Sequence, residues 1–438
     1  MFRLFKSDFF NFEALRLLSF TAHEGGEVAE FMAAVGQITD LDLESWYMVW
    51  IEAASKAEEL AREAELSGNR VAARRAFFRA SNYQRAAQFM LDGRKAATGQ
   101  DPRMLYDSEA AISNFWRAVN LMDSSVRKLE VPYSPSGSDD DIIKLPAYLH
   151  LPHPSRRRAG THLPLLFNTV GADATQEEIF YILPMTALEL GYAVLTFEGP
   201  GQGIVIRRHN IPFRPDWEII VSTVIDFTLA YLDSHPELPP IDRDRLALAG
   251  SSMGGYLSLR GAADARIKAC VAIDPFYRMW DMLKGRVPDS AAQAFAVDSV
   301  VPESAWDGLS AVLGWWNVQT RWESGLTSWM LGATSTADMF RRMQTYTLEG
   351  HLARVQCPVF VTGARFSLYC QPEVSTERIY SELIGHGNKN VVKWIAEDPG
   401  QGGLQSKVGA FTVLNQKIFA WLDGVFGIDR KIQANNEV

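Results

Sequence analysis

Cysteine is scarce in this chain: Cys270, Cys357 and Cys370 are the only three in 438 residues. An odd number lying in or near apolar stretches suits neither a disulfide frame nor a zinc site, so all three read as small reduced core residues. Basic charge is also in deficit, with 43 Lys and Arg against 52 Asp and Glu. A net charge of −9 gives no surface for gripping phosphate backbones, which excludes nucleic-acid binding. Long hydrophobic runs are missing too: no stretch approaches the ~18 apolar residues that span a bilayer. The opening MFRLFKSDFFNF is interrupted by Arg3, Lys6, Ser7 and Asp8 before it reaches signal-peptide length. The expectation is a cytoplasmic protein with no membrane association, no metal and no cofactor. A homodimer stays open.

What the chain does hold is apolar material, 47% of its residues against 22% charged, in ordinary globular proportion. At ~150 residues per domain there is room for two or three structural units. Residues 1–128 read as a helical cap, with helices over 42–66, 70–91 and 107–122 set apart by Ser67-Gly68-Asn69 and Asp92-Gly93. No fixed period recurs, which argues against a helical repeat. From 129 the texture changes. VRKLEVPY and KLPAYLHLP flank the polar turn SPSGSDDD, and short apolar runs follow at 163–170, 191–197, 244–250, 267–273, 357–363 and 390–396. Helical segments lie between most of them. Such alternation predicts an α/β fold, a mostly parallel sheet covered by helices on both faces. Its core would occupy 129–275 and 351–438. Residues 276–350 interrupt it with helical texture and six of the 12 tryptophans, which suits a lid over a pocket or a small helical subdomain.

The chemistry-bearing motif is Gly250-Ser251-Ser252-Met253-Gly254-Gly255, a G-x-S-x-G string between an apolar strand and a helix. In a nucleophile elbow the serine sits on a sharp strand-to-helix turn, and flanking glycines avoid collision with neighbouring backbone. Ser252 is the expected nucleophile, and the Met253 N–H faces any oxyanion that forms. The other half of an oxyanion hole would come from Gly171 and Ala172 after the 163–170 strand. Asp173, Glu198 and Asp274 follow strands at the same sheet edge and are candidate proton acceptors, with capping or ion pairing as their alternatives. Tyr277, Trp315, Trp316 and Trp322 are expected around the pocket.

The stretches RASNYQRAAQFML, FEGPGQG, FRPDWE, GSSMGGYL, YTLEG and VGAFTVLNQKIFAWLD carry a resemblance. The chain resembles α/β-hydrolases that join an N-terminal helical cap to FEGPGQG and a GxSMGG elbow. These include the bacterial dihydropseudooxynicotine hydrolase, the fermentation-respiration-switch-like esterases and fungal hydrolases of polyketide pigment pathways. It looks most like the hydrolase-like proteins of fungal polyketide and polyketide–amino-acid clusters, cytochalasin-type clusters among them. The resemblance implies an α/β-hydrolase fold and a small polyketide-type carbonyl substrate. The chemistry it implies is ester cleavage, C–C cleavage or ring closure.

One departure from that pattern stands out. Family members commonly place an aspartate where this chain has Phe366, and a histidine where it has Gln405. The last histidine is His386, so no imidazole follows the final strand. His209 lies on the correct sheet edge and is the only plausible substitute. Without a base a serine hydroxyl is a poor nucleophile near neutral pH, and a glutamine amide has no titratable nitrogen. The reading is therefore a non-hydrolytic aldol or Knoevenagel cyclisation. A serine hydrolase with a replacement base, or a metabolite-binding protein without catalysis, are the alternatives.

Overall fold

The computed structural model describes residues 3–91, 101–157, 160–283, 306–308 and 317–430. Its first third is helical because the sequence supplies caps and one-sided apolar spacing. Helices α1 (Asp8–Ser19), α2 (Val28–Val35), α3 (Leu43–Leu66), α4 (Arg70–Phe89) and α5 (Pro102–Val119) follow one another. Ser7, Asp42 and Asn69 accept N–H groups of the turns they start, which satisfies otherwise orphaned donors. On α3, Trp46, Trp50, Ala54, Ala57 and Ala61 are buried, a single face at helical spacing. The helix expected from 107 starts instead at Pro102. Asp101 caps it and proline occupies its first turn, where a missing N–H costs nothing.

Eight strands form one sheet: β1 Ser125–Tyr133, β2 Ile143–Leu151, β3 Leu163–Thr169, β4 Ala193–Phe197, β5 Ile241–Ser251, β6 Ala269–Ile273, β7 Val359–Ala364 and β8 Val391–Ala396. Their order is β1-β2-β4-β3-β5-β6-β7-β8. β1 and β2 pair antiparallel, as do β2 and β4, and all pairs from β4 to β8 are parallel. Every residue of β3, β4 and β6 is buried, as expected for strands covered on both faces.

Strand periodicity divides the core. Leu166, Val194, Ala247, Ala249 and Val271 pack with α1, α3, α4 and the C-terminal helix Phe411–Phe426. Their neighbours Leu165, Leu195, Leu246, Leu248 and Cys270 face the other side. There they meet helices Glu218–Ser234 and Met253–Gly261 together with Trp306, Met339 and Phe340. The N-terminal helices therefore share one hydrophobic core with a face of the sheet. Among the described residues no helix is long and apolar enough to cross a membrane. The loops at the carboxyl ends of β3, β5, β7 and β8 open into a common cavity, the usual place for a site in a parallel α/β sheet.

Candidate active site

β5 ends at Ser251 and a helix begins at Met253, so Ser252 must turn the chain within one residue. It does so at φ 55°, ψ −120°, a region costly for any residue with a Cβ and found where function over-determines it. The Ser252 N–H donates to the Ile273 carbonyl at 2.8 Å, and the Ser252 carbonyl accepts from Gly255 at 2.9 Å. Close packing explains the glycines. A Cβ on Gly250 would lie 2.3 Å from the Gly254 carbonyl oxygen. Gly250→Ala is therefore expected to destabilise the protein by ~1–3 kcal/mol through overpacking, measured as a fall in the urea midpoint.

Ser252 lines a cavity of about 420 Å³, together with Gly171, Ala172 and Asp173. The Met253 N–H, in the first turn of its helix, has no intrahelical acceptor. Gly171 abuts the elbow so tightly that a Cβ there would sit 3.1 Å from the Ser251 carbonyl oxygen. Gln202 fixes that loop by donating from Nε2 to the Val170 carbonyl at 2.6 Å. The walls are largely apolar, with Phe12 from α1, Phe20 just after it, Trp306 and Phe340 from the lid region, and Phe411 near the tail. Trp322 lines the cavity as expected, its ring against Phe9 and Phe89 and its N–H on the Phe89 carbonyl. Tyr277 does not. It is buried elsewhere, donating to Glu382 at 2.7 Å beneath the Arg378 guanidinium, because its hydroxyl finds a carboxylate partner there. Trp315 and Trp316 lie outside the described residues.

The tail loop brings Gln405 to the cavity wall, only 3% exposed. Its Nε2 donates to the Asp274 carbonyl at 2.9 Å. Gln405 and Ser252 thus hang from consecutive carbonyls at the end of β6. Gln405 Oε1 accepts from the Ser367 hydroxyl at 2.5 Å, whose oxygen in turn accepts from the Tyr369 and Cys370 N–H groups. Ser367, one residue beyond Phe366, is therefore the side chain that supports Gln405. Phe366 points outward, 49% exposed, and only its backbone joins the loop, donating to Gly403. Both ends of the Gln405 amide are committed, which fixes it without giving it a proton to move.

Asp274 does not line the cavity. Its Oδ1 receives Lys407 Nζ at 2.8 Å and the Thr362 hydroxyl at 2.6 Å, a buried ion pair in which the carboxylate answers to the ammonium. Lys407 also donates to the Gly363 carbonyl and lies over the Trp394 ring. Burial pushes its ammonium below the usual lysine range, against the pull of Asp274. Glu198 is also absent from the cavity wall. Its two oxygens accept the Gln176 and Ile204 N–H groups at 2.8 and 2.7 Å, so it holds two helix starts. Burial, then repulsion from Glu177, raises its carboxyl.

None of the eight histidines lines the cavity. His209 is exposed at the end of the short helix Gly203–His209, displaced from the site because that helix turns it outward. His23 spends its ring on the Tyr181 carbonyl and the Thr186 hydroxyl. His150 is buried among Phe115, Tyr148 and Phe180, and burial pushes it down to about 3.

A cluster that sequence reasoning missed stands beside the oxyanion loop. Glu13 and Arg16 of α1 both line the cavity with Asp173. Arg16 donates to Asp173 Oδ2 at 2.7 Å and to both oxygens of Glu178 at 2.6 and 2.8 Å, and reaches Glu13 Oε2 only at 3.3 Å. Burial alone would raise the Asp173 carboxyl, but the charge and hydrogen bond of Arg16 hold it below the usual range. Glu13 behaves oppositely. Burial pushes it up to about 7, aided by Asp173 and Glu178 and opposed by Arg16 and Arg85. The only trace in the sequence was two charges, Glu13 and Arg16, set among the apolar residues of α1. Among the described residues no group of three or more His, Cys, Asp or Glu is arranged to hold a metal ion.

Comparison with known proteins agrees with this fold. A family model described as the alpha/beta hydrolase family matches residues 171–394. The chain is 45% identical to the alpha/beta hydrolase psoB of Aspergillus fumigatus, over 98% of this chain and 96% of that protein. It is 42% identical to the hydrolase ORFZ of Pyricularia oryzae, over 98% and 99% of the two chains. It is 40% identical to the 20-hydroxy-prefusarin hydrolase FUS2 of Gibberella moniliformis, over 99% and 100%. Among solved structures, the 2,6-dihydroxy-pseudo-oxynicotine hydrolase shares the fold. Its TM-score is 0.66 at 17% identity, covering 93% of this chain and 95% of that one.

Proposed function

The chain belongs to the alpha/beta hydrolase family, and from that membership we propose an enzyme of fungal secondary metabolism. It acts on a polyketide or polyketide–amino-acid carbonyl compound and closes a ring by aldol or Knoevenagel C–C bond formation. One observation carries the reading. The wall position where a reacting serine needs an imidazole holds Gln405, an amide bonded at both ends, and no histidine lines the cavity. Acyl transfer through Ser252 lacks its proton acceptor, a loss worth ~10⁴-fold in such triads.

Condensation asks for less. Its barrier is the formation of an enolate, and fixed donors aimed at the developing oxygen lower it. The Met253 and Ala172 N–H groups supply those donors, and the Ser252 hydroxyl adds a third. An apolar cavity of about 420 Å³ suits a folded hydrocarbon chain whose two carbonyl ends must meet, which is catalysis by positioning. By its name, one relative acts on 20-hydroxy-prefusarin, which supports a small organic metabolite as the substrate class here.

The hydrolase names of the relatives and the retained strain at Ser252 favour a second reading, cleavage of an ester or C–C bond. Two measurements separate the readings. Incubation with a long-chain β-ketoamide bearing a terminal aldehyde is expected to give the dehydrated ring faster than buffer does. A fluorophosphonate probe is expected to leave Ser252 unlabelled. No acceleration together with rapid labelling would replace ring closure by hydrolysis.

A further inference from the structure

Resting on the ring-closing reading, we propose that Glu13, carried into the cavity by the first helix, is the group that takes the proton from the carbon between two carbonyls and later returns it. Geometry and charge count support this. Arg16 and Arg85 bring two positive charges to a cluster of three carboxylates, Glu13, Asp173 and Glu178, so one negative charge is left over. Arg16 grips Glu178 with two bonds and Asp173 at 2.7 Å, while Glu13 is held through Oε2 alone at 3.3 Å. Among the described residues Glu13 Oε1 has no hydrogen-bond partner, yet the residue is only 3% exposed and lines the cavity beside Gly171 and Ala172. The least restrained carboxylate of the cluster therefore faces the substrate space, next to the oxyanion donors. From the lid side Glu323 also borders the cavity, engaged by Gln319 at 2.8 Å.

Burial raises the Glu13 carboxyl to about 7, the range in which one group can both accept and return a proton. In the forward direction the carboxylate removes the α-proton, and the C–H pair becomes the enolate held by the backbone donors. The enolate carbon bonds to the aldehyde carbon, whose C=O pair becomes an alkoxide. Glu13 gives its proton to that alkoxide, completing the aldol. Removal of the second α-proton and loss of hydroxide, which takes that proton, leave the C=C bond and one water.

The test separates proton removal from ring closure. A long-chain β-ketoamide without an aldehyde cannot cyclise, but its α-protons exchange with D₂O and are followed by NMR. Wild-type protein is expected to accelerate exchange, with a rate that rises as pH passes through about 7 because the base form is required. Glu13→Gln is expected to lower the catalysed rate by ~10²-fold or more and to abolish the pH step. The ketoamide should still quench tryptophan fluorescence in that variant. Glu13→Asp, which withdraws the carboxyl by one methylene, should keep the step and lose ~10-fold, since small misplacements are costly in positioned catalysis. Wild-type rate and midpoint in Glu13→Gln would overturn the role of Glu13 while leaving ring closure standing. Should Glu13→Gln fail to fold, an unchanged rate in Glu13→Asp would do the same. Absence of exchange by the wild-type protein would remove the ring-closing reading and this inference with it.

Discussion

Restoring the absent base, as Gln405→His with Ser367→Asp, is expected to raise fluorophosphonate labelling of Ser252 by ~10²-fold or more, the usual worth of a positioned general base. Ser367 already donates to Gln405 at 2.5 Å, so an acid and a histidine at these two positions stand within bonding reach, with the imidazole N–H as donor instead. Ser367 lies on the loop that follows β7, and Gln405, which lines the cavity, on the loop that follows β8. The paired change therefore keeps positions 367 and 405 in contact and adds the ability to titrate. Gln405→His alone is expected to gain far less, because an imidazole without its carboxylate adopts the wrong tautomer, a defect worth ~10⁴-fold in a serine triad. Labelling kinetics of the wild type and the two variants read this directly. A double variant no faster than wild type would show that Ser252 is not limited by a missing base.

The second large effect concerns stability. Lys407→Met is expected to cost ~3–5 kcal/mol, the penalty for stranding one partner of a buried ion pair. Lys407 is fully buried and Asp274 nearly so. Asp274 Oδ2 already lacks a hydrogen bond, so loss of the ammonium leaves the Thr362 hydroxyl alone to face the carboxylate. Asp274→Asn in the Lys407→Met background should recover much of the loss, since an uncharged amide needs no counter-ion. Urea unfolding of the two variants measures it. The pair is also a foundation for the site, because Ser406 and Lys407 both adopt left-handed backbone, at φ 56° and 61°. Such backbone is costly and persists where the surrounding structure over-determines it. A drop below about 1 kcal/mol in Lys407→Met would mean that the pair is dispensable.

Local signals in the chain announced much of this architecture, and distance in sequence hid the rest. Gly250 to Gly255 foretold the elbow because its constraint is local: a one-residue reversal that only glycine neighbours permit. The strands were readable for a similar reason, since continuous apolar runs of strand length have few other uses. The base of the site was not readable. Whether Phe366 or Ser367 faces Gln405 depends on how a loop crosses the sheet edge, and a one-residue shift reverses the answer. Glu198 carried a motif's acidity, but its oxygens went to two backbone amides. Lys407 gave no hint of burial, because its partner Asp274 lies more than a hundred residues upstream. Glu13 was furthest from legibility. Its raised carboxyl comes first from burial, then from Asp173 and Glu178 against the pull of Arg16 and Arg85, surroundings that only tertiary folding assembles.

On the cavity wall the segment that ends α1 meets the one that starts the last helix. Ser19 Oγ accepts the Gly409 N–H at 2.7 Å, and Phe20 stacks on Phe411. A chimera that grafted this helical segment onto a relative's sheet would transplant reactivity only if positions 173, 178 and 409 travelled with it. Heredity of the chemistry thus follows a spatial seam, and recombination at the obvious helix-to-strand junction would divide it.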